Sequence, residues 1–155
     1  MCIRDRLGIE VCVAPDPETL AMADVIATAT TSLTPVFDPQ NLRPGCHING
    51  IGSFRPDMTE IPAETVTAAT VVVDQRAACL AEAGDILVPI ARGDITADHI
   101  HAEIGEIVAG TKPGRTAPNE ITLFKSVGNA IQDLVVANRL VELAQSEGIG
   151  TEIEI

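Results

Sequence analysis

At 155 residues, with 46% hydrophobic and 21% charged side chains, the chain is long enough for one core of ordinary size and too apolar to be disordered. Three Phe and no Trp or Tyr leave that core to Val, Ile, Leu and Ala, which suits buried parallel strands covered by helices. A formal net charge of -12 without a basic cluster argues against a nucleic acid or an anionic membrane as partner; with neither a run of about 18 apolar residues nor a signal-peptide pattern, the cytoplasm is the default address.

A reverse translation of residues 1–6 fits a transposon end used in preparing sequencing libraries, so these residues read as a library scar and fold reasoning starts at Leu7. Residues 7–14 alternate like a strand and stop at Pro15-Asp16-Pro17; residues 17–22 follow as a short helix capped by Asp16. Residues 25–29 form the next strand, ending in Thr30, Thr31 and Ser32, whose hydroxyls either satisfy turn backbone or face a ribose or phosphate. Residues 35–44 are a loop with one turn of helix.

Residues 45–60 are the centre of the chain. The apolar stretch at His47 enters a loop opened by Gly50 and Gly52, as expected where the carboxyl end of a buried strand lets backbone approach a ligand, though the same glycines also serve a plain turn. Residues 62–66 suggest a short helix, and the β-branched residues 70–73 a buried strand. Asp74 stands where a helix cap belongs, with Ala77, Ala78, Leu80 and Ala81 as the packing face and Gly84 as the stop. Residues 86–90 read as a strand that Pro89 pushes to an edge or loop. Thr96 is placed to cap a helix carrying Ile100, Ile104, Ile107 and Val108 on one stripe, with Gly110 beyond it.

Residues 112–119 form a Pro- and Gly-bearing loop expected to be mobile. Residues 121–124 are the last sheet strand, Ser126 caps a long helix over residues 127–146 with Gly128 in its first turn, Gly148 ends it, and residues 151–155 are a terminal strand. The order of elements predicts an α/β fold with a largely parallel sheet. The four cysteines are far apart and His99 and His101 fall on different helix faces, so free thiols and no metal site are expected.

Five ordered blocks resemble the ornithine cyclodeaminase and mu-crystallin family: residues 23–32; His47-Ile48-Asn49-Gly50-Ile51-Gly52 with Arg55-Pro56-Asp57-Met58-Thr59-Glu60; Glu82-Ala83-Gly84-Asp85; Glu103-Ile104-Gly105-Glu106; and residues 120–128. The resemblance implies a Rossmann-type domain binding NAD or NADP, a homodimer when full length, and a small amino or imino acid as substrate. The glycine-rich pyrophosphate turn of such a domain, with its acidic or basic ribose reader, is absent from these residues. The expectation is therefore an incomplete Rossmann-type sheet. Residues 7–147 would be its carboxyl-terminal portion and residues 148–155 a strand of a largely missing substrate and dimerisation domain, with weak cofactor binding and no activity in the fragment alone.

By the same resemblance, Thr30, Thr31 and Ser32 line the ribose-phosphate side of the cofactor, Ile51, Gly52, Ser53 and Phe54 the nicotinamide side, and Ser126 the helix end near the reacting centre. Lys125 and Val127 are the substrate-side candidates, Lys125 being equally well read as merely solvated. No catalytic residue is assigned. Phe54 stands where the cyclodeaminases carry an acid/base Asp and cannot move a proton, which favours the ketimine-reductase and amino-acid dehydrogenase members over ornithine cyclisation. A non-catalytic NADPH-dependent binding protein is the remaining alternative.

Overall fold

The computed structural model describes residues 6–13, 16–151 and 153. Five strands, β1 (Val25–Thr28), β2 (His47–Gly50), β3 (Thr70–Val73), β4 (Ile100–Glu103) and β5 (Thr122–Lys125), make one sheet in the order β1-β2-β5-β3-β4. Every pairing is parallel, as the element order predicts. Thr28, Gly50, Lys125 and Val73 are partners across β1, β2, β5 and β3, so four strands end level and their loops leave from one edge. Ladder bonds run one residue further, from Ile51 N–H to Thr28 O (2.9 Å), Ser126 N–H to Gly50 O (3.1 Å) and Asp74 N–H to Lys125 O (3.1 Å).

The α-helices that accompany the sheet are α1 (Ala63–Ala68), α2 (Arg76–Glu82), α3 (Gly84–Arg92), α4 (Ile104–Val108) and α5 (Ala130–Glu147). Ile26, Ile48, Val71, Val73, Leu123 and Ile100 point from one sheet face into the core, where Val66, Cys79, Ala83 and Ile86 meet them. Strand side chains alternate between faces, so His47, Asn49, Thr70, Val72, Thr122 and Phe124 lie on the other side. These are only half-buried and line a groove of about 450 Å³.

Several expectations are corrected. Residues 9–13 are exposed and carry no strand, while Ala14 and Pro15 lie outside the described residues. Residues 86–90 are helical: Pro89 sits inside α3, whose residues Gly84, Asp85, Ile86 and Pro89 are buried, and Gly84 opens this helix instead of closing α2. Local proline chemistry read as a strand breaker was overridden by a buried face at helical spacing. The expected stripe from Ile100 to Val108 is split, because Ile100–Glu103 is the edge strand β4 and only Ile104–Val108 is helical. An apolar repeat of i, i+4 also fits a strand running straight into a helix. Thr96 makes no side-chain cap bond to the turn Ala97–His99.

Loop 112–119 is tied down: Arg115 donates to Glu120 O and to Thr122 Oγ1 (3.0 Å), and His101 Nε2 bonds Pro113 O (2.9 Å). The long helix begins at Ala130 with Asn129 as its cap, its side chain accepting Ile131 N–H (3.2 Å), so neither Ser126 nor Gly128 belongs to it. Gly148 closes it in the left-handed conformation, as expected. Thr151 and Ile153 are not in a strand, and the other residues of the expected terminal strand lie outside the described residues, as do residues 1–5 of the expected scar.

An ion pair runs through the middle of the core. Lys125 ends β5 with no exposed surface, its Nζ donating to Gly50 O (3.0 Å) and standing 3.4 Å from Asp85 Oδ2 on α3. Asp85 is also wholly buried, and its Oδ1 accepts Glu60 N–H (2.7 Å) and Ile61 N–H (3.0 Å). Breaking such a pair from one side strands a charge, so Lys125→Met is expected to cost about 3–5 kcal/mol of unfolding free energy. Adding Asp85→Asn, which removes the stranded charge and keeps an acceptor, should return more than half of that loss in a double-mutant cycle by urea denaturation.

α3 also approaches the loop after β2 without room for a side chain. A Cβ on Gly84 would stand 1.9 Å from Met58 O and 2.9 Å from Pro56 O, both backbone. Gly84→Ala should therefore cost about 2 kcal/mol or more. Gly105→Ala, in α4 with nothing within 4 Å of a new Cβ, should gain about 0.5 kcal/mol by the same measurement.

Candidate functional site

Three loops leave the level carboxyl edge next to one another: residues 29–34 after β1, residues 51–60 after β2 and residues 126–129 after β5. Thr30, Gly52 and Ser126 therefore border one edge, with the loop after β2 in the middle. The glycine at position 52 is a packing requirement, because a Cβ there would stand 2.2 Å from Thr30 O and 2.4 Å from Glu60 Oε1. Thr30, Thr31, Ile51 and Phe54 are exposed along this edge, Ile51 at 44% and Phe54 at 46%.

The sequence-assigned residues divide into those that face outward and those turned inward. Thr30 Oγ1 accepts Ser32 N–H (3.1 Å), and Ser32 Oγ donates to Thr34 O (2.6 Å), so both hydroxyls also shape the turn. Ser53 is fully buried: its hydroxyl donates to Met58 O (2.8 Å) and accepts Asp85 N–H (3.2 Å), closing the loop on itself. Ser126 donates to Asp74 Oδ2 (2.7 Å) from a half-buried position, and Val127 beside it is half-buried too. Lys125 is corrected on its solvated reading, since its ammonium lies inside the core against Asp85.

Two carboxylates hold these loops from behind, and neither was assigned a place in the site from the sequence. Glu60, with no exposed surface, accepts Thr30 N–H on Oε1, and Gly52 N–H (2.7 Å) and Thr28 Oγ1 (3.0 Å) on Oε2. Burial by itself would raise its carboxyl, but the bonds from Thr30, Thr28 and Gly52 together outweigh it and hold the pKa below the ordinary 4.5. Asp74 was expected to cap α2. It instead accepts Ser126 Oγ–H, Val127 N–H (3.1 Å) and Gly128 N–H (3.1 Å) on Oδ2, with Gln75 N–H (2.7 Å) on Oδ1.

Burial works against Asp74 as well, and its bonds from Ser126, Gln75, Cys79 and Val127 again win, leaving it below its ordinary 3.8. Asp85 goes the other way: burial pushes its carboxyl above the ordinary value despite the N–H bonds and the Lys125 charge. Cys79 lies against Asp74 (Sγ to Oδ1, 3.3 Å), and burial first, then that negative charge, lifts its thiol to about 12. It is an unreactive thiol. Among the described residues no group of three or more metal-ligating side chains comes together.

The signals for these groups were in the sequence. Glu60 ends the Arg-Pro-Asp-Met-Thr-Glu run and Asp85 the Glu-Ala-Gly-Asp run, both of which carried the family resemblance without a stated role. What was not visible is that Glu60 folds back under residues 28–30 and 52 and that Asp85 holds the Glu60 backbone there, contacts that no local pattern encodes.

Known proteins share this fold. The model of the ornithine cyclodeaminase/mu-crystallin family matches residues 2–148. A Delta(1)-pyrroline-2-carboxylate reductase of Bacillus cereus is 46% identical over 154 residues, which is 98% of this chain and 47% of the relative. The structure of the Thermococcus litoralis Delta(1)-pyrroline-2-carboxylate reductase in complex with NADH and L-proline superposes with a TM-score of 0.88 at 43% identity, covering 97% of this chain and 47% of that one. An archaeal alanine dehydrogenase dimer with bound NAD gives 0.84 at 37% identity, over 98% and 47% of the two chains. The chain thus spans about half the length of these relatives, and its sheet corresponds to their Rossmann-like domain. On the match across nearly all of its residues, the chain belongs to the ornithine cyclodeaminase/mu-crystallin family.

Proposed function

We propose that this chain carries the nicotinamide-facing part of an NAD(P)H-dependent reductase acting on a cyclic imino acid of the pyrroline-2-carboxylate type. The observation that supports it most is the level edge at which Thr30, Gly52 and Ser126 adjoin. The likeness to reductases and to a structure holding NADH and L-proline gives the substrate class.

The donor chemistry of the edge fits one part of a dinucleotide better than another. The N–H groups of Thr30, Gly52, Val127 and Gly128 are already taken by Glu60 and Asp74, so they are not free to cradle a diphosphate. Two ionised carboxylates behind the edge also disfavour phosphate there. What remains outward is hydroxyl and apolar surface, suited to a ribose and an aromatic ring. In this reading Thr30, Thr31 and Ser32 meet the sugar, and Ile51 and Phe54 present an apolar wall that excludes water from the ring. Gly52 lets the backbone come close, Ser53 holds that loop in shape, and Ser126 and Val127 border the reacting centre. Lys125 serves substrate only through the shape of its strand.

Bound nicotinamide supplies the hydride that reduces an imine carbon. The chain's own part is placement. Phe54 has no proton to give, and the Ser53 and Ser126 hydroxyls donate to Met58 O and to Asp74 Oδ2, so none of these three supplies the proton for an imine nitrogen. Phe54 also disfavours ornithine cyclisation with loss of ammonia. The intact protein is inferred to be a homodimer, and residues 1–155 alone to bind cofactor weakly and turn nothing over.

The assay is oxidation of NADH and of NADPH by the intact protein with Delta(1)-pyrroline-2-carboxylate. Turnover with either cofactor is expected. Ammonia release from ornithine would replace this reading with a cyclodeaminase, and cofactor binding without turnover would replace it with a binding protein.

The carboxylates also set an acid limit. Glu60 and Asp74 have folded pKa values below 4.5 and 3.8, so their stabilisation is full above those values and is lost as pH falls through the folded ones. Asp85, held above 3.8, has the opposite sign, its contribution being full below 3.8 and lost as pH rises through the folded value. The share of unfolding free energy contributed by Glu60 and Asp74 should therefore drop on acidification below about pH 4.5, with Asp85 offsetting part of the loss. In Asp74→Asn the same titration should give a shallower slope and a lower plateau at neutral pH.

A further inference from the structure

We infer that Glu60 is the positioning residue of this edge: one carboxylate, bridging the loops after β1 and β2, fixes their separation before a nucleotide arrives. The inference rests on the reading of the edge as a nucleotide site, and it adds a residue that does not itself touch the ligand. Glu60 has no exposed surface, yet its two oxygens take up the N–H of Thr30 and the N–H of Gly52, the residues that border the edge on adjacent strands. Thr28 Oγ1 supplies a third bond from the end of β1 (3.0 Å).

The side chain cannot swing away, because its backbone is clamped on both sides. Glu60 N–H donates to Asp85 Oδ1 (2.7 Å), and Glu60 O accepts Val36 N–H (2.8 Å). Asp85 is in turn held beside Lys125 at the end of β5, so the third strand tip is referred to the same anchor. Gly52 completes the device: any side chain there would collide with Thr30 and with the Glu60 carboxylate. A surface of this kind is already formed when the nucleotide docks, and preorganisation lowers the ordering cost of binding. Loss of the bridge leaves two loop N–H groups without their acceptor and lets the loops part.

A residue that only held the core together would lower stability and leave affinity alone, so the test measures both. NADH affinity of the intact protein is followed by cofactor fluorescence, with kcat at saturating NADH and thermal unfolding alongside, for Glu60→Gln, Thr28→Val and the core control Val66→Ala. With one acceptor oxygen exchanged for an amide, Glu60→Gln should raise the NADH dissociation constant roughly tenfold while kcat stays within about twofold. Thr28→Val, which removes one supporting bond and keeps the shape, should raise it about threefold. Val66→Ala, buried in α1, should unfold earlier and bind NADH like the parent.

Parent-like NADH affinity in both Glu60→Gln and Thr28→Val overturns the positioning role, as does an equal loss in Val66→Ala. Should Glu60→Gln fail to fold, Thr28→Val decides by itself. A parent protein that binds neither NADH nor NADPH sinks the functional reading and the inference with it, whereas a parent that binds beside unaffected variants sinks the inference alone.

Discussion

The folding of this edge depends on burying negative charge under four adjacent strand tips. Where parallel strands end together, their loops must turn away in different directions, and several N–H groups are left without a ladder partner. A carboxylate is an economical answer because it accepts several bonds at once and, ionised, holds them strongly. Glu60 does this for β1 and β2, and Asp74 for β3 and β5. The desolvation each suffers is outweighed only while its donors stay in place, which makes the loops and the carboxylates mutually dependent.

Lys125 belongs to the same constraint. A buried ammonium next to Asp85 is poor evidence of added stability, since desolvation offsets much of the attraction. Its value is geometric: a charged pair of fixed length between β5 and α3 admits one register, and α3 can lie that close to the loop after β2 only because residue 84 has no side chain. From Lys125 through Asp85 to Glu60, the position of a helix is carried to the strand tips that border the candidate site.

These couplings explain which features could be read from the sequence. β1, β2, β3 and β5 were legible because each is a short apolar or β-branched run ending in turn residues, and the carboxyl-edge site followed from where those runs end. α3 was misread because Pro89 is a strong local signal, whereas the burial of Asp85 and Ile86 that favours the helix is a tertiary effect. β4 and α4 were fused because Ile100 and Ile104 satisfy a helical repeat by coincidence of a strand running into a helix. Ser126 and Asp74 were both read as helix caps for a similar reason: a Ser or Asp before a helical pattern looks like its cap, but these two bond each other, and Asn129 caps the long helix instead. Lys125 looked like a ligand group because charge at a strand tip usually faces solvent, and only packing reveals its partner.

The half-covered sheet face and α5 have to be considered together. Parallel sheets are normally covered on both faces, yet here one face holds the core while Asn49, Val72 and Phe124 on the other are half-buried. α5 does not cover it. None of its 18 residues is buried, and Leu134, Val135, Val136 and Leu140 are each 58–64% exposed. Its Asn129 cap, its Gly148 stop and the bonds of Asn138 and Arg139 to Glu142 are local supports, each contributing a few tenths to about 1 kcal/mol. In proteins most helical stability comes from packing an apolar face and not from such local terms. Helix and sheet face therefore gain most from apolar surface that the described residues do not supply, and the part of the fold they complete among themselves is the carboxyl edge with its buried charges.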